Sequence, residues 1–291
     1  MVGTIPFLNV RSPLTGRRGV SLPFSDSCSP LCSREDKLAS LTRRANKLAK
    51  AESWRYFEIR GSGSKNYEDP CSIRYYRHTL LLNRPADQIF DHFSPANKRA
   101  IRKSAAQGLL ADQSYSIDSL KAYYRLHCQT RKRHGTPPQP WSFFRAIHEN
   151  ILSKNKGCVF LALDRHRSPV AGSIFFYSGS TAIYKFGASN ERLQASRPNN
   201  FLFWAAIKEL AKMGVEKLDY GRTSLGNEGL RRFKLSWGAS ESIIPYYRYR
   251  TSDGSLQTIA AQPSNWSILL FRRLPIPISR IAGRMLYKHV G

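Results

Sequence analysis

The 291-residue sequence predicts an α/β protein whose mixed, mostly antiparallel sheets are flanked by helices. Three apolar segments follow one another between residues 158 and 189, separated by short turns, as in an antiparallel meander. Segments with the helical spacing of apolar residues lie on both sides of this meander and alternate with shorter strand patterns. A hydrophobic content of 41% and an aromatic content of 12% are typical of a folded chain.

The first hundred residues alternate between strand and helix patterns. The segments GTIPFLNV and GVSLPF predict two short strands joined by a turn rich in glycine and arginine. Apolar residues repeat with helical spacing over 38–49, and aromatic-rich alternation predicts strands at 54–61 and 71–83. Ser94 is a suitable N-cap for the next helix, and Pro95 suits its first position.

The order of elements after residue 115 narrows the fold class. Two capped helices are predicted after Ser116 and after Pro140, and the strands of the meander follow at 158–163, 170–178 and 181–189. A helix beginning at Pro198, a strand, a short helix and a last strand complete the series to residue 250. This succession is the one expected of a GNAT-type acyltransferase fold.

The net charge is +26, from 46 lysines and arginines against 20 acidic residues. A surface this positive attracts polyanions, so the candidate partners are nucleic acid, anionic lipid head groups and phosphorylated substrates. No run approaches the ~18 apolar residues of a membrane span, and the first residues lack the pattern of a secretory signal. Five irregularly spaced cysteines and seven scattered histidines give no metal pattern. We therefore expect free thiols, no metal and a cytoplasmic location.

The stretch LDYGRTSLGNEGLRRFKLSWGA, residues 218–239, concentrates charge, glycine and large aromatic side chains. It holds Asp219, Arg222, Lys234 and Trp237 close together. Two interpretations are open. In one, the stretch is a tight structural turn in which Asp219 pairs with Arg222 or Lys234 at a buried strand end. In the other it is the wall of a site, where the glycines give a ligand access to the backbone and Arg222 holds a phosphate or carboxylate.

Several short motifs point to one family. Tyr184 and Gly187 end a strand, a helix is entered through PNN at 198–200, and the turn DYGRTS is followed by FK and WGA. Together these motifs resemble the C-terminal half of the FemAB-like proteins, aminoacyl- or peptidyl-transferase relatives built from two GNAT-like lobes. GRRGVSLPFSD, YFEIRG and NKRAIRKSAAQGL resemble the first lobe of that family. The segment RRLPIPISRIAGRMLYKHVG resembles the basic tail of its exopolysaccharide- and exosortase-associated subgroup.

The resemblance implies a division of the chain into a GNAT-like lobe at 1–115, an acyltransferase lobe at 116–252 and a basic tail at 253–291. Family chains carry a further segment before the counterpart of GTIPFLNV, so the first lobe is expected to be incomplete and to expose a sheet edge. The long helical arm of the peptidoglycan-bridge enzymes, which is thought to help hold tRNA, is also missing. The tail carries no acidic residue after residue 253, and peripheral binding of 266–291 to an anionic membrane is a hypothesis. Packing of the tail on the first lobe is its alternative.

The resemblance also assigns roles to residues. The lysine of the family's FK motif is proposed to stabilise the tetrahedral oxyanion of acyl transfer, and it matches Lys234. Asp219 is the second catalytic candidate, either orienting Lys234 or accepting a proton. The candidates for substrate binding are Arg222, Phe233, Tyr184, Asn200 and Trp237, with structural packing as the alternative for the tyrosine and the tryptophan.

The sequence therefore predicts an N-acyl- or aminoacyltransferase of FemAB/GNAT type that acts on a cell-envelope or polysaccharide precursor without a tightly bound cofactor. Candidate activated donors are aminoacyl-tRNA, an acyl-carrier protein thioester and acyl-CoA, and tRNA is a candidate partner. SNERLQASRPNNF lacks the glycines with which an acetyl-CoA loop holds a pyrophosphate, so acetyl-CoA is not favoured. The alternative function is a non-catalytic polyanion- or membrane-binding protein that kept this fold.

Overall fold

The computed structural model describes residues 3–32, 37–61, 70–259 and 265–289. Its strands, in chain order, are β1 (Gly3–Thr4), β2 (Leu8–Ser12), β3 (Gly16–Val20), β4 (Leu31–Cys32), β5 (Tyr56–Arg60), β6 (Ile73–Leu81), β7 (Leu110–Ser114), β8 (Gly157–Leu163), β9 (Pro169–Ser178), β10 (Thr181–Ser189), β11 (Lys217–Ser224) and β12 (Ser240–Arg250). Its α-helices are α1 (Lys37–Ala51), α2 (Ala86–Asp91), α3 (Pro95–Ala105), α4 (Ile117–Arg133), α5 (Trp141–Asn150), α6 (Pro198–Lys212), α7 (Glu228–Leu235), α8 (Asn265–Arg273) and α9 (Ile276–Leu286).

Ten of these strands form one mixed sheet in the order β2-β3-β5-β12-β6-β11-β10-β9-β8-β7. Neighbouring strands run antiparallel except for two parallel pairs, β3 with β5 and β10 with β11. β1 and β4 form a separate antiparallel pair. The α/β fold class, with a large and mostly antiparallel mixed sheet flanked by helices, is thereby confirmed.

Helices cover both faces of the sheet around β8 and β9. Cys158 and Phe160 of β8 belong to the hydrophobic cluster that includes α6, whereas Val159 and Leu161 belong to the cluster of α4 and α5. Because both faces of β8 are buried, its sequence is a continuous apolar run instead of an alternating one. A third cluster joins α1 to β5 through Ala45, Ala49, Trp54, Phe57 and Ile59.

Local sequence signals fix several helix boundaries. The Ser94 side chain accepts a hydrogen bond from the Asn97 N–H, and Pro95 is the first residue of α3. Ser116 caps α4 in the same way, as the sequence predicts for a hydroxyl at the N-cap. The predicted helices after Pro140 and from Pro198 are α5 and α6.

The structure differs from the sequence predictions in several details. The strand placed in GVSLPF is β3, which begins at Gly16 and ends at Val20, and the chain beyond it becomes a loop. β7 was not predicted, because its sequence LADQS is polar and mostly exposed at the sheet edge. The described part of the predicted basic tail contains two α-helices, and Pro275 separates α8 from α9.

The sheet is continuous across the lobe boundary predicted at residues 115 and 116. β6 belongs to the first 115 residues, yet it lies between β11 and β12 of the later part of the chain. The division at 1–115, 116–252 and 253–291 stays a prediction.

Candidate active site

A wedge opens in the sheet where its central parallel pair comes apart. β10 and β11 pair at Thr181–Lys217, Ala182–Leu218 and Ile183–Asp219. Beyond these residues β10 stays with β9 and β11 stays with β6, and each strand has a register shift at this point. The carboxyl ends of the two strands therefore diverge, and ligands of α/β sheets commonly bind at such an end.

The wedge leads into a cleft of about 510 Å³. Four cationic side chains line it together with one carboxylate, and these are Arg60, Arg131, Lys185, Arg222 and Asp26. Arg60 is already neutralised by Glu58, whose carboxylate lies 2.9 Å from the guanidinium. The other three cations face a single carboxylate, so the cleft is suited to an anion.

The carboxylate comes from the loop after β3. Asp26 Oδ2 accepts a hydrogen bond from the Arg222 N–H at 3.3 Å, and Oδ1 lies 3.4 Å from Arg222 Nε. In the same loop Leu22 and Phe24 have φ angles of 46° and 67°, a left-handed region that non-glycine residues rarely adopt. Such backbone strain is concentrated in functional loops.

Gly221 allows this loop to approach β11. Its φ is +70°, and a Cβ atom on it would overlap the Oδ2 atom of Asp26. Any other residue would therefore both strain the backbone and displace the carboxylate. The prediction that glycine here permits close approach thus has a specific structural basis, although the approaching group is a side chain of the protein itself.

Arg222 is held in place by aromatic rings. Its guanidinium lies 4.7 Å from the ring centre of Tyr75 and 5.4 Å from that of Tyr246. It also donates a hydrogen bond to the Tyr246 hydroxyl at 3.0 Å, and that hydroxyl donates to the Asp26 carbonyl at 2.6 Å. A planar guanidinium fixed in this way is preorganised for a bidentate contact with a phosphate or carboxylate.

Lys234 lies behind the wall of the cleft. It is 3% exposed, and its ammonium donates to the carbonyls of Gly221 at 2.8 Å and Arg222 at 3.1 Å. Burial lowers its pKa to about 8, and Asp26 and Asp219 oppose this shift. The ammonium holds the backbone that carries Arg222 and does not line the cleft, and the catalytic role of Lys234 stays a prediction.

The carboxylate of Asp219 binds Arg77 and the Gly221 N–H. Its Oδ2 accepts hydrogen bonds from Arg77 Nε at 2.8 Å and lies 2.6 Å from Arg77 Nη2, while Oδ1 accepts from the Gly221 N–H at 2.8 Å. It is 7% exposed. Asp219 thus forms an ion pair at a buried strand end, but its partner is Arg77 on β6 instead of Arg222 or Lys234, and its catalytic role stays a prediction.

Burial and positive neighbours shape the titration of the other groups in the cleft. Burial lowers the pKa of Lys185. The positive charges of Arg222 and Arg60 lower it further, whereas the carboxylate of Asp26 raises it. The Lys185 ammonium donates to the Phe24 carbonyl. Burial, followed by Arg133 and Arg131, lowers the pKa of His134, so its imidazole is neutral near pH 7.

A second cavity of about 270 Å³ adjoins the cleft and shares Thr130, His134 and Gly187 with it. Two predicted substrate-binding residues, Tyr184 and Phe233, line this cavity. Burial raises the pKa of Tyr184 to about 12, so its hydroxyl stays protonated.

The remaining two predicted binding residues lie elsewhere. Asn200 donates to the Asn97 side chain at 2.9 Å and so joins α6 to α3. Trp237 is 0% exposed and packs against Phe93 and Phe203. Neither lines the cleft or the adjoining cavity. The packing alternative describes the position of Trp237, and ligand contacts by either residue stay predictions.

Sequence reasoning missed Asp26, Lys185, Arg131 and His134. Lys185 is the extra residue at the register shift of β10, between Tyr184 and Phe186. A bulge changes the face to which a side chain points, so strand alternation cannot assign it. The motif YKFGAS contained the lysine, and PFSD contained the aspartate, but nothing in either motif indicates that they meet.

Within the described residues, no group of three or more histidine, cysteine or acidic side chains is placed to hold a metal ion. In the same ranges, no helix has the length and apolarity needed to cross a bilayer. The segment that lacks the acetyl-CoA glycines forms a short 3₁₀ helix at Glu191–Ser196, immediately before α6.

Residues 96–235 match the family model described as an acetyltransferase (GNAT) domain. A search of curated protein sequences gives no match. Among solved structures, FemX is similar with 16% identity and a TM-score of 0.62, over 84% of this chain and 84% of FemX. The C-terminal domain of a protein described as a lysylphosphatidylglycerol synthetase from Agrobacterium fabrum has 12% identity and a TM-score of 0.57, over 88% of this chain and 81% of that one.

A tandem GNAT protein from the clavulanic acid biosynthesis pathway is similar at 11% identity with a TM-score of 0.51, over 91% of this chain and 80% of its own. At these identities the likeness shows the fold. The sequence match places a GNAT domain across α3 to α7, which includes β10 and β11 with the wedge between them. Residues 96–235 thus form a GNAT acetyltransferase domain within a chain that has the fold of FemX, and the predicted resemblance to the FemAB-like proteins is confirmed at the level of the fold.

Proposed function

We propose that this protein transfers an acyl or aminoacyl group from an activated, anionic donor to an amine of a cell-envelope or polysaccharide precursor. The observation that carries this proposal is the cleft at the divergence of β10 and β11. There, Arg131, Lys185 and Arg222 face one carboxylate, and a smaller, partly apolar cavity opens directly beside them. The names of FemX and of the lysylphosphatidylglycerol synthetase relative support an envelope substrate.

The donor occupies both cavities, with its phosphate groups in the cleft and its acyl group in the smaller cavity. The phosphate groups of a tRNA end, a carrier-protein arm or a coenzyme bind the cations of the cleft, with Arg222 making the bidentate contact. The acyl group enters the second cavity beside Tyr184 and Phe233. The hydroxyl of Ser173 lines that cavity and has no hydrogen-bond partner within the described residues, so it is available to donate to the acyl carbonyl.

The reaction takes place where the two cavities meet. The amine attacks the acyl carbonyl, a C–N bond forms, and the bond from the carbonyl carbon to the donor oxygen or sulfur breaks. His134 lines both cavities and is neutral near pH 7, so it accepts the proton that the amine loses. Lys234 and Asp219 act as positioning residues, because they hold the β11 backbone from which Arg222 projects.

The chemistry of the product tests this proposal. The purified chain is incubated with an envelope fraction and with radiolabelled aminoacyl-tRNA, acyl-carrier protein or acyl-CoA in parallel, and label in the acceptor fraction is counted before and after alkaline hydroxylamine. Amides resist this treatment, whereas esters and thioesters are cleaved. We expect resistant label from one class of donor. Label that hydroxylamine removes completely would show transfer to a hydroxyl or thiol group and contradict the proposal.

Replacing Arg222 with methionine is expected to weaken binding of inorganic pyrophosphate about 10- to 100-fold, because a hydrogen bond to a charged group is lost. Titration calorimetry measures this change. Lys212→Met is the matched control, since it also removes one positive charge but lies on the exposed end of α6, paired with Glu209. Equal affinities for the parent and for Arg222→Met would show that the cleft is not the anion site.

A further inference from the structure

The last two helices present one face to the protein and leave another uncovered. On α9 the inner face is made of small residues, and Ser279 and Gly283 are buried. A Cβ atom on Gly283 would overlap the carbonyl oxygen of Pro138, so the helix cannot rotate without separating from the protein. α8 packs against Gly135 in the same way, since a Cβ atom on this glycine would overlap the carbonyl oxygen of Ile268 in α8. Both helices are therefore seated in fixed orientations.

The opposite face carries large aliphatic side chains. Ile278, Ile281 and Met285 are 50%, 61% and 64% exposed, and their spacing places them in one row along α9. On α8, Leu269 and Leu270 are 58% and 46% exposed. These five residues are called the outer face below. Aliphatic side chains kept in water on consecutive helices indicate a surface that another apolar phase covers.

Cations flank the outer face. Arg272, Arg273, Arg280 and Arg284 are all exposed, and the chain contains no acidic residue after Asp253. Arg272 Nε donates to the Arg133 carbonyl at 3.1 Å, which holds α8 beside the basic end of α4. An aliphatic row with arginines at its sides matches the chemistry of a bilayer surface that carries negative head groups.

A groove of about 490 Å³ runs between α9 and the start of α5. Arg280 and Arg284 line it with Trp141, Tyr124 and Ile281. The Arg280 guanidinium lies 5.6 Å from the ring centre of Tyr124, so it is directed by a cation–π contact instead of moving freely. Two arginines beside an indole form a site of suitable chemistry for one phosphodiester head group, since tryptophan favours the boundary between water and lipid.

We infer that α8 and α9 form a docking surface for an anionic phospholipid bilayer. The outer face enters the boundary of the acyl chains, the flanking arginines contact phosphates, and the groove beside Trp141 holds one head group. A nucleic acid would account for the arginines, but it offers no apolar phase for Ile281 and Met285. Docking does not depend on the proposed reaction, so the two can be tested separately.

Co-sedimentation of the full chain with vesicles tests the inference. Vesicles of phosphatidylglycerol and phosphatidylcholine are compared with vesicles of phosphatidylcholine alone, at low and at high salt. We expect binding to the mixed vesicles only, and weaker binding at high salt because the head-group charge is screened. Equal binding to both kinds of vesicle, or to neither, would overturn the inference.

Two double variants separate the apolar and the charged contributions. Ile281→Ser with Met285→Ser, and Arg280→Gln with Arg284→Gln, are each expected to weaken binding to the mixed vesicles at least about tenfold. All four side chains are exposed, so melting temperatures should stay close to that of the parent. Leu269→Ser with Leu270→Ser repeats the apolar test on α8.

Matched controls change the same chemistry elsewhere. Leu14→Ser with Leu110→Ser removes two aliphatic residues that are 68% and 48% exposed, and Arg99→Gln with Lys103→Gln removes two exposed cations from α3. The inference requires both controls to bind like the parent, and a loss as large as in the test variants would contradict it. A different result would identify a nucleic-acid surface instead. In that case the parent would not bind vesicles but would bind a mixed tRNA pool, and the Arg280→Gln, Arg284→Gln variant would lose the tRNA binding.

Discussion

Replacing Lys234 with methionine is expected to lower turnover about 10²-fold, the cost typical of a displaced binding group, and to weaken pyrophosphate binding about tenfold. The ammonium holds the carbonyls of Gly221 and Arg222, so its loss frees the backbone on which the Arg222 guanidinium is mounted. Methionine keeps most of the volume, and the free energy of unfolding should fall by ~1–3 kcal/mol because two buried carbonyls lose their partner. Single-turnover rates, calorimetry and thermal melts measure the three effects.

The combination of effects distinguishes two roles for this lysine. A residue that positions Arg222 changes both anion affinity and turnover. A lysine that reaches the reacting carbonyl, as the family resemblance implies, changes turnover and leaves pyrophosphate affinity at the parent value. The second pattern would contradict the positioning role, and an unchanged turnover would contradict both roles. Lys212→Met, with its charge on the surface, is expected to change none of the three quantities.

The pH dependence of stability gives an independent readout for Lys234. Its pKa in the folded state is about 8, below the value of 10.5 of a free lysine side chain. Between these values the unfolded chain binds more protons than the folded one, so stability rises with pH across this window. The parent should therefore gain stability from pH 8 to pH 10 relative to Lys234→Met. Denaturant unfolding at several pH values measures the difference, and parallel curves for the two proteins would disprove a buried, titrating ammonium.

Replacing Glu58 with glutamine is expected to lower the free energy of unfolding by about 3–5 kcal/mol, the range found when one partner of a buried ion pair is removed. Glu58 is 4% exposed and binds Arg60 at 2.9 Å and Arg248 at 2.6 Å. The substitution would leave the Arg60 guanidinium buried without a counter-charge. Urea titration measures the change, and the surface variant Glu209→Gln is expected to cost less than about 1 kcal/mol.

The ion pairs of Glu58 with Arg60 and Arg248 should also affect how the stability of the protein changes in acid. Burial alone would raise the pKa of Glu58, but Arg60 and Arg248 outweigh it, so its pKa lies below the ordinary value of 4.5. The stability that this carboxylate contributes is present above its unfolded pKa and is lost as the pH falls through the folded one. Glu58→Gln should therefore flatten the stability curve in acid. A variant as stable as the parent at pH 7 would show that the pairs contribute nothing.

Patterns that depend on nearby residues could be predicted from the sequence. The cap at Ser94, the meander at 158–189 and the helix opened by Pro198 each rest on a few adjacent side chains. The closeness of the motif DYGRTS and the FK lysine has the same origin, since a strand and the helix after it stay close in space and the Lys234 ammonium reaches the carbonyls of Gly221 and Arg222. Local periodicity and capping contain this information.

The partners of those residues could not be predicted. Asp26 reaches Arg222 because Gly221 adopts a positive φ and lacks a side chain, and Asp219 meets Arg77 because β6 lies beside β11. Both contacts depend on the strand order of the sheet, which single-sequence patterns do not specify. Lys185 was overlooked because a bulge changes the face of its strand.

The place of β6 in the sheet constrains how the chain can fold during synthesis. Residues 73–81 pair on one side with 217–224 and on the other with 240–250, so the ribosome must make most of the protein before either edge of this strand is covered. Because synthesis adds ~5–20 residues per second, both edges of this strand stay unpaired for on the order of ten seconds. Contacts this distant along the chain also fold slowly, because a long loop must close first. Unpaired strand edges are prone to aggregate, so a nascent chain with this topology is expected to be a substrate for chaperones that bind exposed strands.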